Sequence, residues 1–381
     1  MRVALIYLGR RGPGGPISLE LAAHLSPKTE LFAVVSTQAD HFERWQKSGI
    51  DLISAPTFTT DWRAPLSLLS QGRIRALANL IAQKKPDVVV YPMVHPWTPF
   101  LQRYLRGIPH VITVHDPTPH PGLKHFGSSL WERMSARRAS RCVILSSKFI
   151  ESLTARGIAR EKIDVIPHGI FSFYATRGDE NAERNPAKSI LFFGRITAYK
   201  GLEVLLQAFE IIGRRRKDIR LDVVGAGDLK PYQPLLKKIA NANVINQWIA
   251  DADVAPFFRQ AAVVVLPYTT ASQSGVIPLA ASFRVPVIAT TVGALPDQIR
   301  SGETGLLVKP NSVEELVAAI DQLLNNPELA ARMGENLSRD TAESGNWDRI
   351  ADAYLESCRK AINACRGQSA VRSPEVDRGV L

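Results

Sequence analysis

Cysteine is scarce in this chain: Cys142, Cys358 and Cys365 are the only three in 381 residues, and none stands in a Cys-x-x-Cys spacing. That excludes a disulfide framework and a thiolate zinc site. Cys358 and Cys365 lie two helical turns apart and can share a face, but inert reduced thiols are expected. No apolar run approaches the roughly 20 residues of a membrane span. The opening run, Met1 to Gly9, is too short in its apolar part for a signal peptide. A cytoplasmic protein, at most peripheral at the inner face of the membrane, is expected. Acidic residues are missing altogether between Asp253 and Asp297, which rules out a carboxylate nucleophile in that stretch. The basic part of the chain has no aromatic stacking pattern and no nucleic-acid motif, so nucleic acid is not an expected partner.

The composition is otherwise ordinary, 45% hydrophobic and 22% charged, and the length suits two domains with substantial cores. The net charge of +11 is uneven: residues 1–150 carry 19 Lys+Arg against 9 Asp+Glu, and the remainder 28 against 27. A basic excess gathered in one part suits an anionic membrane or a phosphorylated lipid. An ordinary soluble basic surface is the alternative.

Short β-type runs alternate with longer helical patterns. Val3–Leu8, Leu31–Val35, Asp87–Tyr91, His110–Val114, Arg141–Leu145 and Ile163–Ile166 read as buried strands, the last ending at Pro167-His168-Gly169. After a polar, aperiodic stretch the rhythm restarts with Ser189–Phe193, Arg220–Val224, Val244–Gln247, Val263–Leu266, Val287–Ala289 and Gly305–Val308, with helices over Leu202–Ile212 and Val313–Leu324. This is the pattern of βαβ units and parallel sheets. The expected fold class is therefore α/β, with two doubly wound, Rossmann-like halves facing each other across a cleft. The expected divisions are residues 1–175, a linker at 176–188, a second half at 189–346, a helix at 347–365 returning to the first half, and a disordered tail at 366–381.

The candidate chemistry stands where these strands end, which is where ligands bind in such sheets. Gly9-Arg10-Arg11-Gly12-Pro13-Gly14-Gly15 follows the first strand. Its glycines permit close backbone approach to an anion, although the Gly-x-Gly-x-x-Gly fingerprint is not met. His115 and Asp116 end the strand His110–Val114, and His95 ends the one before it. His120 and His125 follow, but no pair has a helical ligand spacing and no carboxylate cluster joins them, so no metal is expected. Phe193-Gly194-Arg195-Ile196-Thr197-Ala198-Tyr199-Lys200-Gly201 runs from strand to helix. Its planar Arg fork and mobile Lys charge suit a diphosphate. Val224-Gly225-Ala226-Gly227, the turn around Ile249, and Thr270 to Pro278 follow in order. In the last of these, small hydroxylic residues precede a helix and can offer main-chain N–H groups to phosphate.

That order of motifs resembles the retaining glycosyltransferases of family 4, which have the GT-B fold. The resemblance extends to Lys162–Gly169, Gly275–Thr290, Gly293–Asp297 and Gly302–Val308, and so to nearly the whole chain. It implies that Arg195 and Lys200 hold the donor pyrophosphate, with Gly194 and Gly225 in the same donor region. Gly14, beside Gly15, approaches the donor phosphate and sugar. His115, beside Asp116, contacts the transferred sugar. Ile249 meets the nucleotide base through its backbone, and Ser274 and Gly275 meet the sugar and distal phosphate. One departure is clear. The family's Glu-x7-Glu pair is absent, with Gln273 at the first position and Leu279 or Ala281 at the second. A neutral amide still bonds hydroxyls.

The resemblance implies transfer with retention from a UDP- or GDP-linked sugar to a glycan or a polyprenyl-diphosphate-linked acceptor, in bacterial surface polysaccharide or glycolipid synthesis. No cofactor is implied, since the nucleotide sugar is a substrate and the cations come from the protein. Two alternatives stand beside it: a GT-B sugar-nucleotide epimerase, which needs acid/base carboxylates not found here, and a non-catalytic sugar-nucleotide-binding subunit. For the acceptor or membrane, Arg133, Arg137 and Arg141 recur every four residues and share a face if that segment is helical. The stretch Pro65–Lys85 alternates apolar and basic residues and suits an interface. Core helices with solvated outer faces are the plainer account of both.

Overall fold

The computed structural model describes residues 1–12, 14–60, 67–68, 70–115, 117, 126–171, 174 and 188–371. These fall into two compact units: residues 1–117, 126–167 and 347–371, and residues 168–346. The proposed linker, apart from Lys188, lies outside the described residues, as do Asp116, His120 and His125.

The first unit is built on seven strands: β1 (Arg2–Tyr7), β2 (Glu30–Ser36), β3 (Asp51–Ala55), β4 (Val88–Tyr91), β5 (His110–Val114), β6 (Arg141–Ile144) and β7 (Ile163–Val165), ordered β3-β2-β1-β4-β5-β6-β7. The second has six: β8 (Ser189–Phe193), β9 (Arg220–Val224), β10 (Ala242–Ile245), β11 (Ala261–Leu266), β12 (Val287–Thr290) and β13 (Gly305–Val308), ordered β10-β9-β8-β11-β12-β13. Every pairing is parallel. β4 and β5 are wholly buried, as are Val3–Tyr7 of β1 and Val263–Leu266 of β11, which explains their largely apolar runs. Each unit is thus a doubly wound α/β fold, as expected. β3 escapes the sequence pattern because it is an edge strand, with Asp51 and Ser54 exposed and only Ala55 buried. Strand order reverses once in each sheet, between β1 and β4 and between β8 and β11. These are the switch points where adjacent loops diverge and leave a crevice.

Helices close both faces. Leu202–Arg215 buries Leu202, Leu205, Leu206, Phe209 and Ile212 at helical spacing, and Val313–Asn325 buries Leu316, Val317, Ile320 and Leu323. The second helix is capped by the Ser312 hydroxyl, which accepts the Glu315 N–H at 3.2 Å. A largely polar helix, Pro327–Ser344, inserts Met333, Gly334 and Leu337 into the core. The final helix runs Trp347–Val371, so residues 366–371 are helical rather than part of a disordered tail. Gly367 continues the helix instead of capping it. Residues 372–381 lie outside the described residues. Among the described residues no helix is long and apolar enough to cross a membrane.

The final helix packs on Gly14–Leu25 and on β4, β5 and β6. Two polar contacts fix its register. The Tyr354 and Thr113 hydroxyls share a hydrogen bond of 2.7 Å. Asp164 on β7 accepts from the Ser357 hydroxyl at 2.8 Å and from Arg141 Nε at 2.8 Å, with Lys360 Nζ at 3.6 Å. This corrects the expectation for Arg141. The helix Phe126–Arg138 ends before it, so Arg141 opens β6 and pairs with Asp164, its side chain only 12% exposed. A four-residue recurrence counted across Ala139 and Ser140 joined a helix to a strand. In the stretch 65–85, where described, the helix Gln71–Gln83 buries Ile74, Leu77, Ala78 and Ile81 and leaves Arg73 and Arg75 exposed.

Two outcomes test this scaffold. Burial pushes the Asp164 carboxyl up, but the bonds from Arg141 and Ser357 and the charges of Arg141 and Lys360 outweigh it and hold it below the usual value of 3.8. A depressed carboxylate contributes stability that is complete above its unfolded value and lost as pH falls through its folded one. Asp164→Asn should therefore cost about 2–3 kcal/mol near pH 7, and its deficit relative to wild type should shrink below about pH 4. A deficit that stays constant down to strongly acidic pH in urea titrations would sink this account. Separately, Gly225 has φ +143° and a Cβ there would lie 1.9 Å from Gly194 O. Gly225→Ala should cost about 3 kcal/mol in the same assay, and a loss well under 1 kcal/mol would show that the turn relaxes.

Candidate functional site at the sheet switch points

In the second unit the chain leaves β8 and stays against the chain leaving β9. Gly194 N–H donates to Val224 O and Ile196 N–H to Ala226 O, both at 2.9 Å, and Ile196 bridges Gly227. Gly194 and Gly225 therefore pack backbone to backbone, and Arg195 projects outward, exposed. A tight turn, Ala198–Lys200, then leads into the helix Leu202–Arg215 through Gly201. Gly201 has φ +67°, and a Cβ there would sit 1.8 Å from Pro267 O. Only glycine lets this turn rest on the backbone leaving β11. The Thr269 N–H completes the join, donating to Tyr199 O at 2.8 Å.

The join puts Lys200 across the β8/β11 switch point. Its ammonium lies 3.7 Å from the centroid of the Tyr268 ring and 5.3 Å from that of Tyr199. The two rings meet edge to face at 6.4 Å. Burial raises the Tyr268 phenol well above its ordinary range, partly offset by its bond to Ser274 and by the Arg195 charge. The phenol stays neutral, and the offset places Arg195 within electrostatic reach of the same ring. Lys200 thus sits on Tyr268, with Arg195 five residues before it in the same loop.

The loop after β11 is tied to that ring. Tyr268 Oη and Ser274 Oγ lie 3.2 Å apart. The Gln298 amide clamps Ser274 from both sides, its Oε1 accepting the Ser274 N–H at 3.0 Å and its Nε2 donating to Ser274 O at 3.2 Å. Ser274 is buried, while Gln273 and Gly275 beside it are half-buried. Gly275 precedes the helix Val276–Ser282, which turns Leu279 and Ala281 into the core. Both positions are buried and apolar, so neither offers a polar group in place of the second glutamate of the family pattern. Ile249 is half-buried beyond β10, two strands from the cation site.

In the first unit the loops after β1, β4 and β5 meet at the other switch point. A Cβ on Gly14 would lie 2.7 Å from Met93 Cγ, and one on Gly15 would lie 2.5 Å from the His41 ring. Both glycines are buried in the first turn of the helix Gly14–Leu25. His115 is half-buried, with Nε2 2.8 Å from Pro92 O. His95 is buried. Its Nδ1 accepts the Trp97 N–H at 3.2 Å, and burial pulls its pKa down to about 3. It is a neutral imidazole, unsuited to proton transfer near pH 7. Among the described residues no three His, Cys, Asp or Glu side chains gather as a metal site. Arg133 and Arg137 are exposed on the helix Phe126–Arg138, and Arg137 reaches Arg156 O at 3.5 Å.

The structure thus brings Gly194, Arg195, Lys200, Gly225, Ser274 and Gly275 to one crest, and Gly14, Gly15 and His115 to another. Sequence reasoning missed Tyr199, Tyr268 and Gln298. An aromatic directly after a buried strand, Pro267-Tyr268, was the available signal for one of them.

Comparison with known proteins bears on this arrangement. A family model described as Glycosyltransferase Family 4 matches residues 18–171, and one described as Glycosyl transferases group 1 matches residues 187–326. A D-inositol 3-phosphate glycosyltransferase of Paenarthrobacter aurescens is 30% identical over 68% of this chain and 69% of its own length. Among solved structures, HepE of Anabaena in complex with UDP and glucose matches with a TM-score of 0.71 at 15% identity, covering 94% of this chain and 99% of its own. Sucrose-phosphate synthase of Thermosynechococcus elongatus matches at 0.73 and 18% identity, covering 95% and 99%. These structures share the GT-B fold, and by its sequence the chain belongs to the family 4, group 1 glycosyltransferases.

Proposed function

We propose that the chain is a retaining hexosyltransferase that takes its sugar from a UDP- or GDP-linked donor. The observation that carries this is the placement of Arg195 and Lys200 in the one loop that leaves β8 at the β8/β11 switch point. A leaving diphosphate gains negative charge as the glycosidic bond breaks, and cations already in place stabilise it without reorganisation. The bond from the anomeric carbon to the phosphate oxygen breaks, and the acceptor oxygen bonds on the same face. The acceptor hydroxyl's proton passes to the departing phosphate. Arg195 and Lys200 supply the positive charge, so no metal is called upon. His115 orients the transferred sugar. Ser274, Gly275 and the Gln273 amide serve the sugar hydroxyls and distal phosphate. The UDP and glucose held by HepE and the glycosyltransferase name of the Paenarthrobacter relative support a nucleotide-sugar donor.

The acceptor is a glycan or a polyprenyl-diphosphate-linked sugar, in bacterial surface polysaccharide or glycolipid synthesis. The exposed Arg133 and Arg137, within a part of the chain that carries most of the basic excess, support a phosphorylated lipid or anionic membrane surface.

Arg195→Ala and Lys200→Ala should each lower kcat/KM for donor by about 10²–10³ while the protein stays folded. Full transfer activity in both variants would remove the assignment. Replacing Arg133 and Arg137 together by Glu should weaken sedimentation with anionic vesicles at low salt, each lost charge counting about 1 kcal/mol. Undiminished binding would show that the helix Phe126–Arg138 is not the membrane face.

A further inference from the structure

A lysine carries a strongly hydrated charge on a flexible stem, and left alone it samples many positions. Lys200 is instead placed over the face of a ring that is 1% exposed. That ring is held on three sides. Thr290 Oγ1 donates to its backbone carbonyl at 2.6 Å, the edge of Tyr199 packs against it, and its hydroxyl meets Ser274. Ser274 is in turn fixed by the two-sided Gln298 clamp and receives the Val276 N–H on its hydroxyl at 3.2 Å. A continuous set of contacts therefore runs from the Lys200 ammonium, through one aromatic ring, to the loop at Ser274–Gly275. The sequence holds no acidic residue between positions 254 and 296, so the loop after β11 contributes no carboxylate to this set.

We propose that Tyr268 is a positioning residue: its ring face holds the Lys200 ammonium where the donor diphosphate binds, and its hydroxyl locks that cation to the Ser274 loop. The inference rests on the reading of Lys200 as a diphosphate-binding group. The ring and the hydroxyl do separable jobs. The quadrupole of the ring face attracts the cation whether or not a hydroxyl is present. The hydroxyl bond governs the loop that meets the sugar.

The test uses the full chain and UDP as probe, with GDP in its place throughout if the wild type binds GDP and not UDP, titrated calorimetrically at fixed low salt. Lys200→Ala should weaken UDP at least tenfold. Tyr268→Phe should bind UDP within about twofold of wild type, whereas Tyr268→Leu should weaken it by about tenfold or more. Because Tyr268→Leu removes buried volume and risks misfolding, a second series decides. Phenylalanine and its mono-, di- and trifluoro analogues are placed at position 268, which drains negative potential from the ring face at nearly constant shape. UDP affinity should fall stepwise along the series, and the fall should vanish in the Lys200→Ala background. Tyr268→Phe should also lower the preference for UDP-glucose over UDP, since only the loop contact is lost. A flat fluorine series with Lys200→Ala still damaging overturns the role of Tyr268 and leaves the donor site intact. Binding of neither UDP nor GDP by the wild type, or nucleotide binding indifferent to Lys200→Ala, overturns the underlying donor reading and this inference with it.

Discussion

The backbone contact between Gly201 and Pro267 is the constraint on which the second unit's site depends. Two strands that are neighbours in the sheet but distant in sequence release their chains in diverging directions. Without a Cβ at residue 201, the turn after β8 settles directly on the carbonyl after β11. That approach sets Tyr199 against Tyr268, brings Lys200 over the ring, and lets Thr269 bond back to Tyr199 O. The site is therefore a by-product of how tightly two backbones can meet. Its charges are placed by sterics first, and only then by electrostatics.

The same economy of means explains how the loop after β11 manages without acid. A carboxylate between two cations would supply charge and hydrogen bonds together. Here those functions are divided: the aromatic face attracts the ammonium, the Ser274 hydroxyl bonds the phenol, and the Gln298 amide pins the main chain. Each of these contacts is neutral on one side, so none competes with a bound phosphate for the positive charge of Arg195 and Lys200. A diphosphate meets cations that no carboxylate of this loop has already neutralised.

Much of this architecture was legible in the sequence because parallel strands buried on both faces write continuous apolar runs. β4, β5 and β11 could be read directly. β3 could not, because an edge strand with Asp51 and Ser54 in solvent has little to distinguish it from a loop. Arg195 and Lys200 were legible since a strand, a glycine and a cation pair before an amphipathic helix lie within a dozen positions of each other. Tyr268 and Gln298 were not, because their meaning appears only on closure: Gln298 reaches back 24 positions to Ser274. Arg141 misled for the opposite reason. Its spacing from Arg137 had a helical period that the chain itself does not keep, since the helix stops at Arg138. Asp116 belongs to the candidate set but lies outside the described residues.

The position of the final helix in the chain carries a last consequence. Trp347–Val371 covers β4, β5 and β6, yet it is made after the whole of the second unit. During synthesis the first sheet emerges complete but uncovered on that face, with Thr113 and Asp164 lacking the helix partners Tyr354, Ser357 and Lys360. For the time taken to translate residues 168–346, at about 5–20 residues per second, a nascent chain must keep a bare apolar sheet from sticking to its neighbours. The basic excess of the early residues gives that stretch of chain a net positive charge, and net charge of one sign favours solubility.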